Sequence, residues 1–244
     1  MKIAVIADIH GNLLALDAVL ADIAARGVDL TVNLGDIVSG PLWPRETADR
    51  LRPLGLPTIR GNHERQVLTF APDRMGASDR HAAATLRPDQ KEWLAELPAT
   101  LRLDGDILLV HGTPASDLVY FLETPEPGYA RAATAAEIEE RAADTRARLI
   151  LCGHTHTPRL AHTADDRVIV NPGSVGLQAY SDEEPVPHPV EMGAPHARYA
   201  IVEVTTDTVA VDFRAIPYDW EAAARQAEAN GRPDWARALR TGRV

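Results

Sequence analysis

Five short apolar runs in this sequence are each followed at once by Asp, Asn or His. Lys2 to Ala7 ends in Asp8-Ile9-His10, and Leu30 to Leu34 ends in Gly35-Asp36. Pro57 to Arg60 leads into Gly61-Asn62-His63-Glu64, Ile107 to Val110 into His111-Gly112, and Leu149 to Cys152 into Gly153-His154-Thr155-His156. Such runs predict buried strands, because a strand covered on both faces need not alternate polar and apolar positions. In α/β sheets, ligands bind at the carboxyl ends of the strands. A chain with this pattern must therefore fold so that its polar strand ends gather at one edge.

The segments between the runs read as helices and turns. Leu13, Leu16, Val19, Leu20 and Ile23 recur with a helical period, and Gly27 stops that helix. Glu46 to Leu54 predicts a second helix closed by Gly55. The stretch 75–97 is a helical excursion from the core, broken by Gly76 and Pro88, with a helix over Asp89 to Leu97. Leu101 to Leu103 and Ile107 to Val110 predict a hairpin around Asp104-Gly105, a strong turn dipeptide. Thr113 to Tyr129 reads as a loop and Thr134 to Arg148 as an amphipathic helix. Ser181 to Ala197, with four prolines and three adjacent acids, predicts an irregular loop. In that loop Tyr180 and His188 are the groups expected to face a substrate, with Asp182, Glu183 and Glu184 in solvent. Tyr199 to Val204 and Thr208 to Phe213 predict a hairpin, and Trp220 to Asn230 a last helix before a short basic tail. No repeat or linker divides the chain, and the polar strand ends come from both halves, so a single domain over 1–244 is expected.

Charge narrows the function. Lys and Arg number 25 against 35 Asp and Glu, a formal charge of -10. That argues against a general nucleic-acid or membrane-surface binder. An anionic substrate would need local positive charge, which metal ions can supply. Cys152 is the sole cysteine, so no intrachain disulfide forms, as suits a reducing compartment. The first strand begins at Lys2, leaving no room for a signal peptide, and no run approaches the roughly 18 apolar residues of a membrane span. A soluble cytoplasmic protein is expected.

Singly, the strand-end motifs are weak: an Asp-x-His or a Gly-Asp is usually just a turn. Together they are chemically coherent. Asp8, His10, Asp36, Asn62, His111, His154 and His156 offer oxygen and imidazole donors with no thiolate, a mixture that suits Mn, Fe, Zn or Ni. Seven donors are too many for one tetrahedral ion and fit two ions sharing a carboxylate. Two ions roughly 3.5–4 Å apart can clamp an in-line displacement at phosphorus and lower the pKa of a bridging water.

Asp8-x-His10, Gly35-Asp36, Gly61-Asn62-His63-Glu64, His111 and Gly153-His154-x-His156 resemble the motif series of the calcineurin-like metallophosphoesterases, in order, from residue 3 to about residue 175. Asp8-Ile-His10-Gly-Asn12, His111-Gly-Thr-Pro114 and Asn171-Pro-Gly-Ser174 are most similar to the small bacterial and archaeal phosphodiesterase branch. The resemblance implies an α/β fold, a four-layer α-β-β-α sandwich of two mixed β-sheets flanked by helices. It implies one divalent ion on Asp8, His10, Asp36 and His156 and a second on Asp36, Asn62, His111 and His154, manganese favoured. His63 becomes the general acid or a donor to the transition state. Asn12, Arg60 and Thr113 are weaker candidates for substrate contacts, and Asn171 to Ser174 a structural turn beside the site.

The sequence departs from the serine/threonine phosphatases of this superfamily at one point. The segment after the bridging Asp there supplies an Asp that orients the catalytic His and an Arg that binds phosphate; here those positions are Ser39 and Gly40. The usual partner of His63 is absent, and loss of the Arg weighs toward singly charged diesters. The expected function is hydrolysis of small phosphodiesters of nucleotide or cyclic-nucleotide type by a metal-bridging hydroxide. The alternatives are a phosphomonoesterase, acting on nucleotides or phosphoprotein, and a non-catalytic scaffold like the retromer subunit of this fold. A homo-oligomer is left open. Cys152, before Gly153-His154, reads as a small buried strand residue, and His81, His162, His188 and His196 as non-ligands.

Overall fold

The structure, a computed structural model, describes residues 1–244 except Gly105, Ala143 and Asp144. Strand β1 (Lys2–Ile6) leads through α1 (Leu13–Ala24) to β2 (Leu30–Asn33), which lies parallel to β1. Helices α2 (Pro44–Leu51), α3 (Asn62–Thr69), α4 (Ala77–Thr85) and α5 (Pro88–Glu96) follow. Strands β3 (Leu101–Leu103) and β4 (Ile107–Leu109) pair antiparallel as expected, though Gly105 of their turn lies outside the described residues. Next come the hairpin β5 (Glu123–Glu126) and β6 (Tyr129–Ala132), α6 (Ala135–Ala142), β7 (Leu149–Leu151), β8 (Arg159–His162) and β9 (Val168–Asn171). A second hairpin, β10 (Ala179–Asp182) and β11 (His188–Glu191), precedes the long pair β12 (Ala197–Val204) and β13 (Val209–Ile216), then α7 (Trp220–Ala229) and α8 (Pro233–Thr241).

Two mixed sheets result, ordered β13-β12-β1-β2 and β3-β4-β7-β9-β8. Side chains alternate across a strand, so each strand serves two cores. Ile3 and Val5 of β1 pack with Ile107, Leu109, Leu149 and Leu151 in the layer between the sheets. Ala4 and Ile6 turn the other way, onto Leu16, Val19 and Ile23 of α1. Leu108, Ile150 and Ile169 pack on Ile138 and Ala142 of α6. The layers run helix, sheet, sheet, helix, which is the expected sandwich. Cys152 is fully buried among the α6-side residues. Among the described residues no helix is long and apolar enough to cross a membrane.

Five expectations change. Pro57 to Arg60 shrinks to one parallel bridge, Asn33 to Thr58, because the Arg60 N–H turns to the Pro98 carbonyl. The helix expected to reach Arg148 is assigned as far as Ala142; Ala143 and Asp144 lie outside the described residues and Thr145 to Ala147 are not helical. The loop expected over 113–129 contains β5 and leads into β6, braced by the Gly128 N–H on the Pro187 carbonyl. The irregular loop of 181–197 is largely the β10–β11 hairpin, where Ser181 pairs with Pro189 and Asp182 with His188. A two-stranded ribbon is all edge, so prolines that lack an N–H are tolerated there. The basic tail is α8. Pro233 stands in its first turn, Gly242 ends it at φ 64°, and Trp235, Ala236, Ala238 and Leu239 form its buried face. These residues pack with Leu177 and Ala179 beside β10. Leu239→Ala should therefore destabilise the protein by about 2–5 kcal/mol, measured by urea unfolding, as expected for a fully buried leucine.

Candidate metal centre

The strand-end residues are held in backbone conformations that side chains normally avoid. Asp8, His10, Asp36, His154 and His156 have φ of 55°, 51°, 52°, 69° and 59°. A non-glycine residue in this left-handed region costs on the order of 1–3 kcal/mol and persists where its surroundings over-determine it. Here they do. The N–H groups of Asp8 and His10 donate to the Gly35 and Asp36 carbonyls at 3.0 and 2.9 Å. The Asp8 carbonyl accepts from the Gly176 N–H at 3.0 Å and the Ser174 hydroxyl at 2.7 Å. Asn171 donates to the Gly153 carbonyl at 2.7 Å, so the Asn171–Ser174 turn braces two site turns.

Glu64 received no role from sequence reasoning, yet it ties two of these turns together. Its buried carboxylate accepts from the N–H groups of Asp36, Ile37 and Gly61 at 2.8, 2.7 and 2.9 Å. Its place three residues after Gly61, the N-cap of α3, lets the carboxylate reach back to the Gly61 N–H. Gly61 itself is required by close approach: a Cβ there would stand 2.1 Å from Asp36 Oδ1.

Two donor groups converge, Asp8 with His10 and His156, and Asp36 with His111 and His154; within each, the donor atoms lie within 4.8 Å of one another. Asn62 Oδ1 joins the second group, 3.0 Å from His111 Nε2. Backbone carbonyls set the imidazole tautomers. His10, His111 and His156 donate through Nδ1 to Ser39, Leu34 and Leu177 at 2.7, 2.8 and 2.8 Å. His154 donates through Nε2 to Leu118 at 3.0 Å. A carbonyl only accepts, so in each neutral ring the other nitrogen is a bare lone pair. Nε2 of His10 then faces Nε2 of His156 at 3.0 Å with no proton between them. His111 Nε2 lies 3.1 Å from Asp36 Oδ2, a contact that needs a proton or a cation between the two atoms, and buried Asp8 Oδ2 has no hydrogen-bond partner among the described residues. Lone pairs pressed together in this way are reconciled by cations, and the donor set fits divalent ions.

Charge in the metal-free chain follows the same logic. Burial pulls His10 down to about 4, and burial with neighbouring histidines pulls His154 down to about 3 and His156 well below its usual value. Burial pushes Asp8 up to about 8. Burial also opposes charge on Asp36, but His111 and His63 hold its carboxyl well below the usual range. His111 and His63, burial notwithstanding, rise to about 10 and about 9 because Asp36 faces both. Without ions, protons on these two rings balance the buried carboxylate.

His63 does have an orienting carboxylate, which corrects the inference drawn from Ser39. Asp79 of α4 places Oδ1 2.7 Å from His63 Nδ1, and the Ser39 hydroxyl donates to the same oxygen at 2.6 Å. The acid comes from the helical excursion, a segment whose role no local spacing announced. Ser39, standing where the usual Asp would be, steadies the substitute. Gly40 has no room for the phosphate-binding arginine: a Cβ there would stand 2.3 Å from the His10 carbonyl oxygen.

These groups open onto a cleft of about 1160 Å³ lined by His10, Asp36, Asn62, His63, His154 and His156. Trp235 and Arg237 of α8 and Tyr180, Asp182 and Glu184 of the hairpin also line it. Tyr180 lines the cleft; Glu183 and Glu184 are exposed to solvent as expected and Asp182 is half-buried, and Asp182 and Glu184 also border the cleft. His188 sits behind the wall, 2% exposed. The weaker candidates are placed elsewhere. Asn12 caps α1 and donates to the Gly176 carbonyl and the Tyr218 hydroxyl at 2.9 and 3.2 Å. Arg60 and Thr113 line a separate pocket of about 280 Å³ that touches His111.

A two-sheet sandwich with two histidine–carboxylate groups at its strand ends defines a metallophosphoesterase. The calcineurin-like phosphoesterase superfamily domain matches residues 1–207, and the chain belongs to that superfamily. A metallophosphoesterase from Sphaerobacter thermophilus is 28% identical with a TM-score of 0.74, over 99% of this chain and 100% of that one. A hypothetical protein of Pyrococcus horikoshii has the same fold, with a TM-score of 0.78 at 22% identity over 99% and 98% of the two chains. An uncharacterized protein of Methanocaldococcus jannaschii is 25% identical over 96% of this chain and 94% of its own. Helices α7 and α8 lie beyond the matched span.

If Asp79 holds His63 protonated, Asp79→Asn should lower the pKa of that ring. Activity that needs the acid form would then fall off at lower pH. A basic limb of the kcat/KM profile that moves toward acid, with metal content unchanged, is the expected result; an unmoved limb assigns Asp79 to structure alone.

Proposed function

We propose that this chain is a dinuclear-metal phosphodiesterase acting on small diesters in the cytoplasm. The two converging histidine–carboxylate groups, with Nε2 of His10 and His156 facing each other as lone pairs, carry this reading. Asp8, His10, Asp36 and His156 would hold one ion and Asp36, Asn62, His111 and His154 the other, Asp36 bridging. When bound, such ions supply charge neutralisation and water activation.

The remaining chemistry belongs to the chain. His63, steadied by Asp79, donates a proton or hydrogen bond to the departing ester oxygen. Burial of the donor groups excludes competing water. Diesters are favoured because a dianionic terminal phosphate would find few free cations. Position 40 is closed to a side chain, Arg141 donates to the carbonyls of Phe121 and Glu123, and Arg232 is paired with Asp234. One observation favours a phosphomonoesterase instead. Arg237 lines the cleft with no ion pair or hydrogen bond to its guanidinium among the described residues.

Metal-stripped protein reloaded singly with Mn, Fe, Zn or Ni tests the proposal. The kcat/KM for an aryl phosphodiester should exceed that for the matched monoester; a strong monoesterase with little diesterase activity overturns the diester preference. Asp36→Asn should lose both metal equivalents, and one tight equivalent remaining would contradict the bridging role. His63→Ala should lower kcat by roughly 10²–10⁴ with a poor leaving group and by less with nitrophenolate. An equal loss with both removes the general-acid role.

A further inference from the structure

The two sides of the cleft differ in a way that the hydrolysis itself does not require. His63 lies on one side: its ring centroid is 5.4 Å from His10, which in turn is 6.0 Å from Trp235 of α8. Arg232 donates to Ser78, next to Asp79, on that same side. The leaving group, which takes its proton from His63, belongs there. On the other side Tyr120 stands edge-on to His154 at 5.1 Å and Tyr180 edge-on to His156 at 4.8 Å. On the diesterase reading, the retained arm of a diester would extend over these tyrosines.

That side offers acceptors almost without donors. His188 donates through Nδ1 to the Val186 carbonyl at 2.8 Å, and its Nε2 shares a hydrogen bond with the Tyr120 hydroxyl at 3.1 Å. The Tyr120 and Tyr180 hydroxyls share a second hydrogen bond at 2.7 Å. In either sense of that bond the Tyr180 proton has an acceptor within the wall, the Tyr120 oxygen or the His154 carbonyl at 3.5 Å. Glu123, only 2% exposed, also lines the cleft; Oε1 accepts from Arg159 at 2.6 Å, while Oε2 has no hydrogen-bond partner among the described residues. Burial raises this carboxyl, and the Thr155 hydroxyl and Arg159 partly offset that rise. Asp182 and Glu184, at the tip of the hairpin, add two carboxylates with no cationic partner among the described residues. Arg141, the nearby cation, is turned onto the Phe121 and Glu123 carbonyls and the Thr124 hydroxyl. Leu118 and Val119, 53% and 45% exposed, form an apolar rim.

Resting on the diesterase reading, we infer that Glu123, Tyr180, Asp182 and Glu184 form a specificity pocket for a retained arm rich in hydrogen-bond donors. The arm is a polyol or sugar hydroxyl group, or a primary ammonium; an arm with a second phosphate is excluded. A buried, unpartnered carboxylate oxygen lowers its energy only by accepting a hydrogen bond, and the two tip carboxylates repel any further anion.

The test holds the leaving group constant. Metal-loaded protein is given nitrophenyl phosphodiesters whose second arm is methyl, glyceryl, aminoethyl or phosphoglyceryl. The glyceryl or aminoethyl arm should exceed methyl in kcat/KM by about tenfold or more, with phosphoglyceryl below methyl. In the double variant Asp182→Asn, Glu184→Gln the phosphoglyceryl ester should gain on methyl. Asp182 is the half-exposed last residue of β10 and Glu184 an exposed residue of the turn after it, and unchanged melting and metal content verify the fold. A glyceryl preference that survives the double variant identifies a hydroxyl arm held by Glu123 and Tyr180; an aminoethyl preference that collapses identifies an ammonium. Equal kcat/KM for all arms, or a preference for phosphoglyceryl, overturns the pocket alone. Cleavage of nitrophenyl phosphate with no diester cleaved overturns the diesterase reading and the pocket with it.

Discussion

The Asp36 carboxylate, 1% exposed, sits where both sheets and α3 meet, and much of the site is arranged around its charge. Its Oδ1 accepts from the His63 N–H at 3.0 Å and its Oδ2 faces His111 at 3.1 Å. The absence of a Cβ at Gly61 leaves it room, and Glu64 holds its backbone. A buried carboxylate is stable only with hydrogen bonds and nearby positive charge. Every element that supplies these is thereby positioned against β2: α3 through His63 and Glu64, β4 through His111.

The same requirement explains the uneven protonation of the histidines. The two rings facing Asp36 are drawn toward the cation, and the rings of His10, His154 and His156 are driven neutral by burial. Neutral rings with their distal protons anchored on carbonyls are ligands waiting for a metal. Strain at the five left-handed positions belongs to this preorganisation. The backbone holds the donors together before any ion arrives, so binding need not pay for their convergence.

The cleft around this centre is built by parts that contribute nothing to the sheets' core. The β10–β11 hairpin supplies Tyr180 and the acidic tip, and α8 supplies Trp235 and Arg237. α8 is locked to the hairpin: the Gly193 N–H donates to the Gly242 carbonyl at 2.9 Å, and Arg243 pairs with Glu191 at 3.4 Å. Chemistry is thus placed on the rigid sandwich and selectivity on additions docked against it, the usual division between scaffold and loops.

The amino-acid sequence by itself determined the buried strands and the seven donors at their ends, and its resemblance to a family implied the sandwich. Those signals are local: apolar runs long enough to cross a core, each ending in a polar residue that the strand's own direction carries to the edge. Only the tertiary structure decided the partner of His63, because Asp79 reaches it by the packing of α4 on α3, which no spacing within either helix encodes. Glu64 is similar, since its carboxylate serves backbone groups 27 and 28 residues away. The hairpin was hidden because its prolines read as breakers, which holds for a central strand and fails for a ribbon with two free edges. α8 was legible in Pro233, the Trp235–Leu239 period and Gly242, although Arg232, Arg237, Arg240 and Arg243 give the same stretch the composition of a basic tail. Which acids face the cleft depended on how that hairpin lies across the strand ends, a matter of side-chain contacts between segments far apart in the chain.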